Sequence, residues 1–131
     1  MGHLATASAD GAPHVVPVCY ALDDDGLYFV ADLKPKRGEA RNLLRLRNLR
    51  ANPRAAVVVD DWDEDWTRLA FVLVRGPAHE IGQAGAHAAA LRLLRDRYPQ
   101  YAAMKLDDPL AHPVVRIEPA HVVFWRAGGG A

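Results

Sequence analysis

The sequence has one cysteine, no net charge and no long apolar run, and each of these absences argues against a class of protein. Cys19 has no second cysteine with which to form a disulfide, so we expect a reducing compartment and a cytoplasmic protein. The 16 basic residues balance the 16 acidic residues, so the chain has no bulk attraction to nucleic acid. No apolar run approaches the roughly 20 residues of a membrane-spanning helix. We expect neither a membrane anchor nor a secretory signal.

Catalytic and metal-binding motifs are also missing. The six histidines lack the paired spacing of zinc sites, and the sequence contains no phosphate-binding loop, nucleophile elbow or dinucleotide-binding glycine motif. Residues 60–65 are acidic but lack the glycine and the final glutamate of a calcium-binding loop, which favours a solvated loop over a metal site. We therefore predict neither a metal site nor a catalytic side chain. If the protein is an enzyme, a bound cofactor has to supply the reactive chemistry.

What the sequence does have is a series of short apolar segments separated by turn residues. These segments predict six or seven strands, at residues 2–7, 14–22, 27–31, 55–59, 69–81 with a bend at Gly76 and Pro77, 114–117 and 122–125. Pro17 predicts an edge position or a bulge in the second strand, because proline has no N–H to donate. Mostly consecutive strands with short links favour antiparallel pairing in a small barrel or sandwich.

Two segments have helical periodicity instead. The first begins at Glu39 and ends at Asn52 and Pro53, and its leucines mark one buried face at positions 43, 44, 46 and 49. The second covers residues 83–98 and places three apolar side chains on one face, at positions 91, 94 and 98. We predict a single domain over residues 1–127, followed by a flexible glycine-rich tail at residues 128–131.

Three cations lie in the turn that leads into the first predicted helix. Lys34, Lys36 and Arg37 occur within four residues, just before Gly38. Unpaired N–H groups at a helix N-terminus attract anions, whereas cations do not complement the helix dipole there. This placement is easier to explain with a bound anion, and a solvated basic turn is the alternative.

Two tryptophans interrupt the acidic segment. Exposed tryptophan is disfavoured, so we expect Trp62 and Trp66 to cover a core edge, a subunit interface or a planar ligand.

Three long segments together resemble the pyridoxamine 5'-phosphate oxidase-like family. They read GHLATASADGAPHVVPVCYAL, LYFVADLKPKRGEARNLLRLRNLRANPRAAVVVD and DEDWTRLAFVLVRGPAHEI, and the resemblance covers residues 2–126. Within the family, the chain is most similar to small deazaflavin (coenzyme F-420)-dependent oxidoreductases. The resemblance implies a mainly β fold with two helices, the FMN-binding split β-barrel of antiparallel Greek-key type. It also implies a homodimer with a flavin or deazaflavin in a groove between the subunits.

The resemblance also assigns cofactor contacts. Lys36 and Arg37 match the basic pair that binds the cofactor phosphate, with Lys34 as a third contact. The strand whose backbone runs along the planar ring is matched by Val16, Pro17 and Val18. The end of the next strand, which approaches the cofactor, is matched by Ala31, and the segment that reaches the cofactor or substrate is matched by Trp66 and Arg68.

A basic stripe extends this assignment along the first predicted helix. Arg37, Arg41 and Arg45 are spaced four residues apart, so on a continuous helix they would share one face. Such a stripe would hold the polyglutamate tail of F-420, or it would be a solvated face.

The function implied by the resemblance is hydride transfer from reduced F-420 to a small organic substrate, with no partner besides a second copy of the chain. An FMN-binding oxidase of the same fold is an alternative. A split barrel that binds a flavin, haem or similar ligand without catalysis is a further alternative.

Overall fold

A computed structural model describes residues 1–32 and 39–128 of the chain. The described residues form eight strands, which are β1 (Gly2–Ala7), β2 (Pro13–Val18), β3 (Ala21–Leu22), β4 (Leu27–Val30), β5 (Arg54–Asp61), β6 (Ala70–Glu80), β7 (Val114–Ile117) and β8 (His121–Arg126). They also form two α-helices, α1 (Leu44–Ala51) and α2 (Ala84–Arg97), and short 3-10 turns at Ala40–Asn42, Trp66–Arg68 and Pro99–Ala103. The mainly β architecture with two helices is as predicted, with eight strands instead of six or seven.

The strands form one curled antiparallel sheet, a half-barrel, in the order β2-β1-β5-β6-β7-β4-β3. β6 joins its two halves, because residues 70–77 pair with β5 and residues 78–80 pair with β7. β8 pairs with residues 70–75 of β6, on the edge that β5 leaves open. Among the described strands, β2 has only β1 as a neighbour, so Pro17 lies on an edge strand as predicted.

β6 runs as one strand through Gly76 and Pro77, where the sequence predicts a bend. Pro77 still pairs with Arg54 of β5, so the bend does not end the strand. Gly76 is required here because a Cβ atom would overlap the carbonyl oxygen of Glu118, in the turn between β7 and β8.

Side chains that alternate along β4 enter two different cores. Leu27 and Phe29 point into the half-barrel, where their buried neighbours include Leu4, Leu46, Leu49, Val57 and Ile117. Tyr28 and Val30 point to the other face of the sheet, where their buried neighbours include Leu91, Leu94, Tyr101, Leu106 and Val114. β4 is therefore buried on both faces, because α2 and the segment after it cover the outside of this half of the sheet.

The second predicted strand, residues 14–22, is two strands in the structure because α2 takes the backbone groups of Tyr20. The Tyr20 N–H donates to the Tyr98 hydroxyl at 3.2 Å, and the Arg97 guanidinium donates to the Tyr20 carbonyl at 2.8 Å. These bonds satisfy backbone groups that a continuous strand would pair with a neighbour. The chain resumes sheet pairing in β3.

The first predicted helix is also shorter than expected. Leu43 has an extended backbone (ψ 142°), so the 3-10 turn before it and α1 after it are separate. Leu43 packs against the half-barrel core, whereas Leu44 is exposed and does not belong to the buried face. The second helix is as predicted, with Gln83 and Tyr98 as its caps. None of the helices in the described part of the chain is long and apolar enough to cross a membrane.

Candidate functional site

A cavity of about 200 Å³ lies where the ends of β2 and β4 diverge, and we call it the strand-end cavity. Its walls come from five parts of the chain and are lined by Met1, Pro17, Val18, Cys19, Phe29, Val30, Asp32, Arg45 and Tyr101. Apolar residues at the ends of β2 and β4 line the same space as the acidic Asp32 and the basic Arg45. Such a combination of an apolar wall and a few convergent polar groups is typical of small-molecule sites.

Asp32 is held in place by the 3-10 turn that follows α2. The Tyr101 hydroxyl donates to the Asp32 carboxylate at 2.9 Å. Burial, followed by the negative charge of Asp32, raises the pKa of Tyr101 above its ordinary value. The phenol therefore keeps its proton, and Asp32 remains a hydrogen-bonded acceptor at the edge of the cavity.

The end of β4 has a second support from the loop before β7. The His112 ring contacts the Ala31 carbonyl through Nδ1 at 2.9 Å, and the His87 ring of α2 contacts the His112 carbonyl through Nε2 at 2.8 Å. Because carbonyl oxygens only accept, each of these ring nitrogens carries a proton. The Ala31 N–H completes the support by donating to the Pro113 carbonyl at 2.9 Å.

The break at Leu43 separates the arginines of the predicted stripe. Arg45 lies on α1 and lines the strand-end cavity, whereas Arg41 lies in the preceding 3-10 turn. Arg41 is exposed and forms an ion pair with Glu39 at 2.6 Å. The prediction of one continuous basic face is therefore wrong for these two residues, because the backbone at Leu43 interrupts the helix between them.

The structure brings together some of the cofactor contacts assigned from the sequence. Pro17 and Val18 line the strand-end cavity, and Ala31 is buried between two of its lining residues. Val16 packs beneath them, against the core of the half-barrel. Lys34, Lys36 and Arg37 lie outside the described residues, as do residues 129–131 of the predicted tail.

Trp66 and Arg68 are not among the described residues that line the cavity. They lie in the 3-10 turn before β6, where Arg68 approaches the carboxylates of Asp63 and Asp65 at 3.9 and 3.8 Å. Trp62 and Trp66 are 69% and 71% exposed, so neither covers a core edge within this chain. An interface or a planar ligand remains as the predicted partner of these indoles.

Six of the nine lining residues were not assigned to a site from the sequence, namely Met1, Cys19, Phe29, Val30, Asp32 and Tyr101. Among them, Cys19, Asp32 and Tyr101 belong to no motif and lie far apart in the sequence. Only the fold brings them to one cavity. A signal for Asp32 was its position directly before the basic turn. Cys19 and Tyr101 gave no comparable signal.

A second, larger groove of about 780 Å³ lies on the outer face of the sheet, away from this cavity. Its floor is made of alanines from β1 and β5, and its polar side chains include Arg54, Arg75 and His121. The groove is continuous with an apolar row on the same face, because Val58, Leu73 and Val123 follow one register step further along β5, β6 and β8.

Comparison with known proteins identifies the family. The family model for pyridoxamine 5'-phosphate oxidase matches residues 1–126. The chain belongs to this family. The expectation from sequence resemblance is confirmed, and so is the split-barrel fold that it implied.

Proteins similar to this chain in sequence or in fold carry different functional names. A 5a,11a-dehydrotetracycline/5a,11a-dehydrooxytetracycline reductase of Streptomyces rimosus is 29% identical over 130 residues, which cover 98% of this chain and 75% of the reductase. The structure of an F420 reductase is 28% identical, with a TM-score of 0.67, over 93% of this chain and 87% of that one. The haem storage protein HutZ of Vibrio cholerae has a TM-score of 0.77 at 15% identity, over 98% and 87%, and shares the fold alone.

The strand-end cavity fits the ring part of a flavin-type cofactor in its chemistry. Val18, Phe29 and Val30 offer apolar surface, and Arg45 offers a cation for an anionic group. Its volume is below the roughly 300–1,000 Å³ of ordinary small-molecule sites. A whole cofactor would therefore extend beyond this cavity onto other surfaces.

Proposed function

We propose that the protein is an oxidoreductase that binds coenzyme F-420 and uses it to reduce a small organic substrate. The carrying observation is that Pro17, Val18 and the end of β4 meet at one cavity, at the positions assigned to the cofactor ring from the sequence. The identity to a reductase supports an oxidoreductase activity, and the identity to an F420 reductase supports a deazaflavin as its cofactor.

The chain's own residues would bind and orient the reactants. When bound there, a reduced deazaflavin would supply the hydride. Apolar side chains of β2 and β4 would exclude water from one side of the ring, while Arg45 would attract an anionic part of the cofactor. Lys36 and Arg37 would hold its phosphate. Orientation of the substrate against the ring would provide much of the rate enhancement.

We further propose that the active form is a homodimer. β8 is exposed at all six positions, and Phe124, its most exposed large apolar side chain, is 65% exposed. An apolar strand that is bare on both faces favours burial against another surface. A second copy would cover β8, and it would supply further surface for a cofactor that the strand-end cavity holds only in part.

The experiment is a paired titration of the purified protein with F-420 and with FMN, followed by tryptophan fluorescence. The three tryptophans, including Trp62 and Trp66, provide the signal. We expect saturable quenching by F-420 and little by FMN. Quenching by FMN alone would favour the oxidase alternative, and quenching by neither would overturn the proposed function.

A double substitution tests the phosphate contacts. Lys36→Ala with Arg37→Ala removes two charge-assisted bonds, so F-420 affinity should fall tenfold or more, on the order of 1.5–3 kcal/mol for each bond. Arg92→Ala with Lys105→Ala is the matched control, because both residues are exposed and lie away from the strand-end cavity. Equal affinity of the two double variants would contradict the assignment of Lys36 and Arg37.

Turnover separates catalysis from storage. With reduced F-420 bound, the F-420 absorption should recover as an enone or similar acceptor is reduced. Stoichiometric binding without turnover of a panel of acceptors would favour the non-catalytic alternative, and a haem titration would then test for that ligand.

A further inference from the structure

One wall of the strand-end cavity is formed by Val18 and Cys19, and the chain continues from there into Tyr20. The backbone of Tyr20 is not paired with a neighbouring strand. Both of its backbone groups bond to the C-terminal end of α2, the N–H to the Tyr98 hydroxyl and the carbonyl to Arg97. The position of this wall therefore depends on α2, an element that contributes no lining residue of its own.

Arg97 makes the shorter of the two hydrogen bonds to the Tyr20 backbone. Its guanidinium donates to the Tyr20 carbonyl at 2.8 Å and lies over the Tyr20 ring, 4.2 Å from the ring centre. The Tyr98 ring is a second neighbour at 5.3 Å. The Tyr20 side chain raises the pKa of Arg97 above its ordinary value, so the guanidinium stays charged. A planar guanidinium suits simultaneous hydrogen bonding and stacking, which lysine reproduces only in part.

The opposite wall depends on the same part of the chain. Tyr101, three residues after Tyr98, donates to Asp32, and His112 contacts the Ala31 carbonyl. Arg95 of α2 fixes this segment in turn, by donating to the Met104 carbonyl at 3.0 Å. The end of α2 and the segment after it thus contact both walls of the cavity.

We propose that Arg97 is a positioning residue that holds the Cys19–Tyr20 wall of the strand-end cavity and so sets the width of the space for a cofactor ring. The consequence for cofactor binding rests on the function proposed above, whereas the position of the wall does not. Arg97 lines no part of the cavity and acts through Tyr20.

Cys19 is a built-in probe of this wall, because it lines the cavity and is the only cysteine in the sequence. The first measurement is its rate of alkylation by iodoacetamide in cofactor-free protein. Arg97→Met keeps the aliphatic stem but removes the bond and the stacked charge, so the rate should rise about tenfold through local opening. Arg97→Lys should recover much of the protection, since an ammonium still donates to the Tyr20 carbonyl.

Two controls separate a local opening from a general loss of stability. Arg92→Met removes an exposed arginine of the same helix that forms no hydrogen bond or ion pair with the described residues, and it should leave the rate unchanged. Val57→Ala weakens the core of the half-barrel. For each degree of melting temperature lost, it should raise the Cys19 alkylation rate less than Arg97→Met does. Equal rates in the wild type and Arg97→Met would overturn the proposal, and so would equal rates in Val57→Ala and Arg97→Met.

Cofactor affinity gives the second readout. If the wall contacts the ring, Arg97→Met should weaken the binding of F-420 and of its phosphate-free ribityl deazaflavin analogue by the same factor, and shift the absorption band of the bound ring. A Lys36→Ala and Arg37→Ala protein should instead lose affinity only for the phosphate-bearing form. Unchanged affinity and spectrum in Arg97→Met would overturn the link to the cofactor. Failure of the wild type to bind any of these ligands would overturn the proposed function, while the alkylation rates still decide the role of Arg97.

Discussion

β7 and β8 are neighbours in the sequence, both are rich in apolar residues and both pair with β6, yet one is buried and the other is exposed. β7 has three of its four residues buried, whereas all six residues of β8 are exposed. The difference lies in their surroundings: β7 has β4 on its other edge and α2 on its outer face, whereas β8 has only β6 among the described elements. Apolar composition therefore predicts a strand here, but the neighbours decide whether that strand is already covered.

This contrast explains how one strand serves two different surfaces. β7 and β8 pair with the same edge of β6, one after the other. Gly76 lies at the junction between them, where the turn that connects β7 to β8 passes close to the β6 backbone. On one side of this junction the sheet completes the chain's own core. On the other side it presents apolar surface that a second copy would cover under our proposal.

The largest expected effect comes from truncating the covered strand. Ile117→Ala should lower the free energy of unfolding by about 2–5 kcal/mol, because Ile117 is fully buried in the half-barrel core. Val123→Ala in β8 should stay within about 0.5 kcal/mol in the monomer, because surface truncations are mild. Urea unfolding of both variants, at concentrations where the protein is monomeric, measures the difference. Equal losses would mean that β8 is part of the monomer's core.

A charged substitution on β8 tests whether a second copy of the chain covers this exposed strand. Phe124→Asp should raise the dimer dissociation constant at least about 30-fold, equivalent to about 2 kcal/mol, because a buried carboxylate opposes association at an apolar interface. Leu110→Asp is the matched control, since Leu110 is also an exposed apolar residue but lies in the loop before β7. Sedimentation equilibrium measures both. A wild-type protein that stays monomeric, or equal effects of both substitutions, would refute the homodimer proposal.

Local sequence signals predicted most of the elements on both sides of the junction. The short apolar segments located the strands, and the turn residues Asp23 to Gly26 connect two of them, with the Asp23 carboxylate accepting the Asp25 and Gly26 N–H groups. What they could not predict were interruptions caused by distant residues. The strand breaks at Tyr20 because Arg97 and Tyr98, more than 70 residues away, bond to its backbone. Such contacts leave no local pattern.

The residues of the candidate site were likewise predictable only where the sequence carries a local or family pattern. Pro17, Val18 and Ala31 were assigned from family resemblance, and the fold places them at or beside one cavity. Asp32 and Tyr101 meet only because the turn after α2 returns to the end of β4, so their contact is a property of the tertiary structure. Arg45 was identified, but for a continuous helical stripe that the extended backbone at Leu43 does not permit.

The smallest expected effect concerns the covered side of the sheet, where Tyr101 belongs to the layer that packs over β4 and β7. Tyr101→Phe removes the bond to Asp32 and should cost about 1–2 kcal/mol of unfolding free energy near neutral pH. Because the folded state raises the pKa of Tyr101 above 10.0, this stabilisation is complete below about pH 10. Above that pH the unfolded chain releases the proton first, so rising pH favours unfolding and the advantage of the wild type shrinks.

Urea unfolding between neutral pH and about pH 11 measures this slope. Asp32→Asn serves as the intermediate case, because it removes the neighbouring charge but leaves Tyr101 buried, and burial is the larger cause of the raised pKa. Its alkaline loss of stability should therefore lie between those of the wild type and Tyr101→Phe. If all three proteins lose stability in parallel, the pKa of Tyr101 is the same in the folded and unfolded states, and its burial and its bond to Asp32 do not hold the proton.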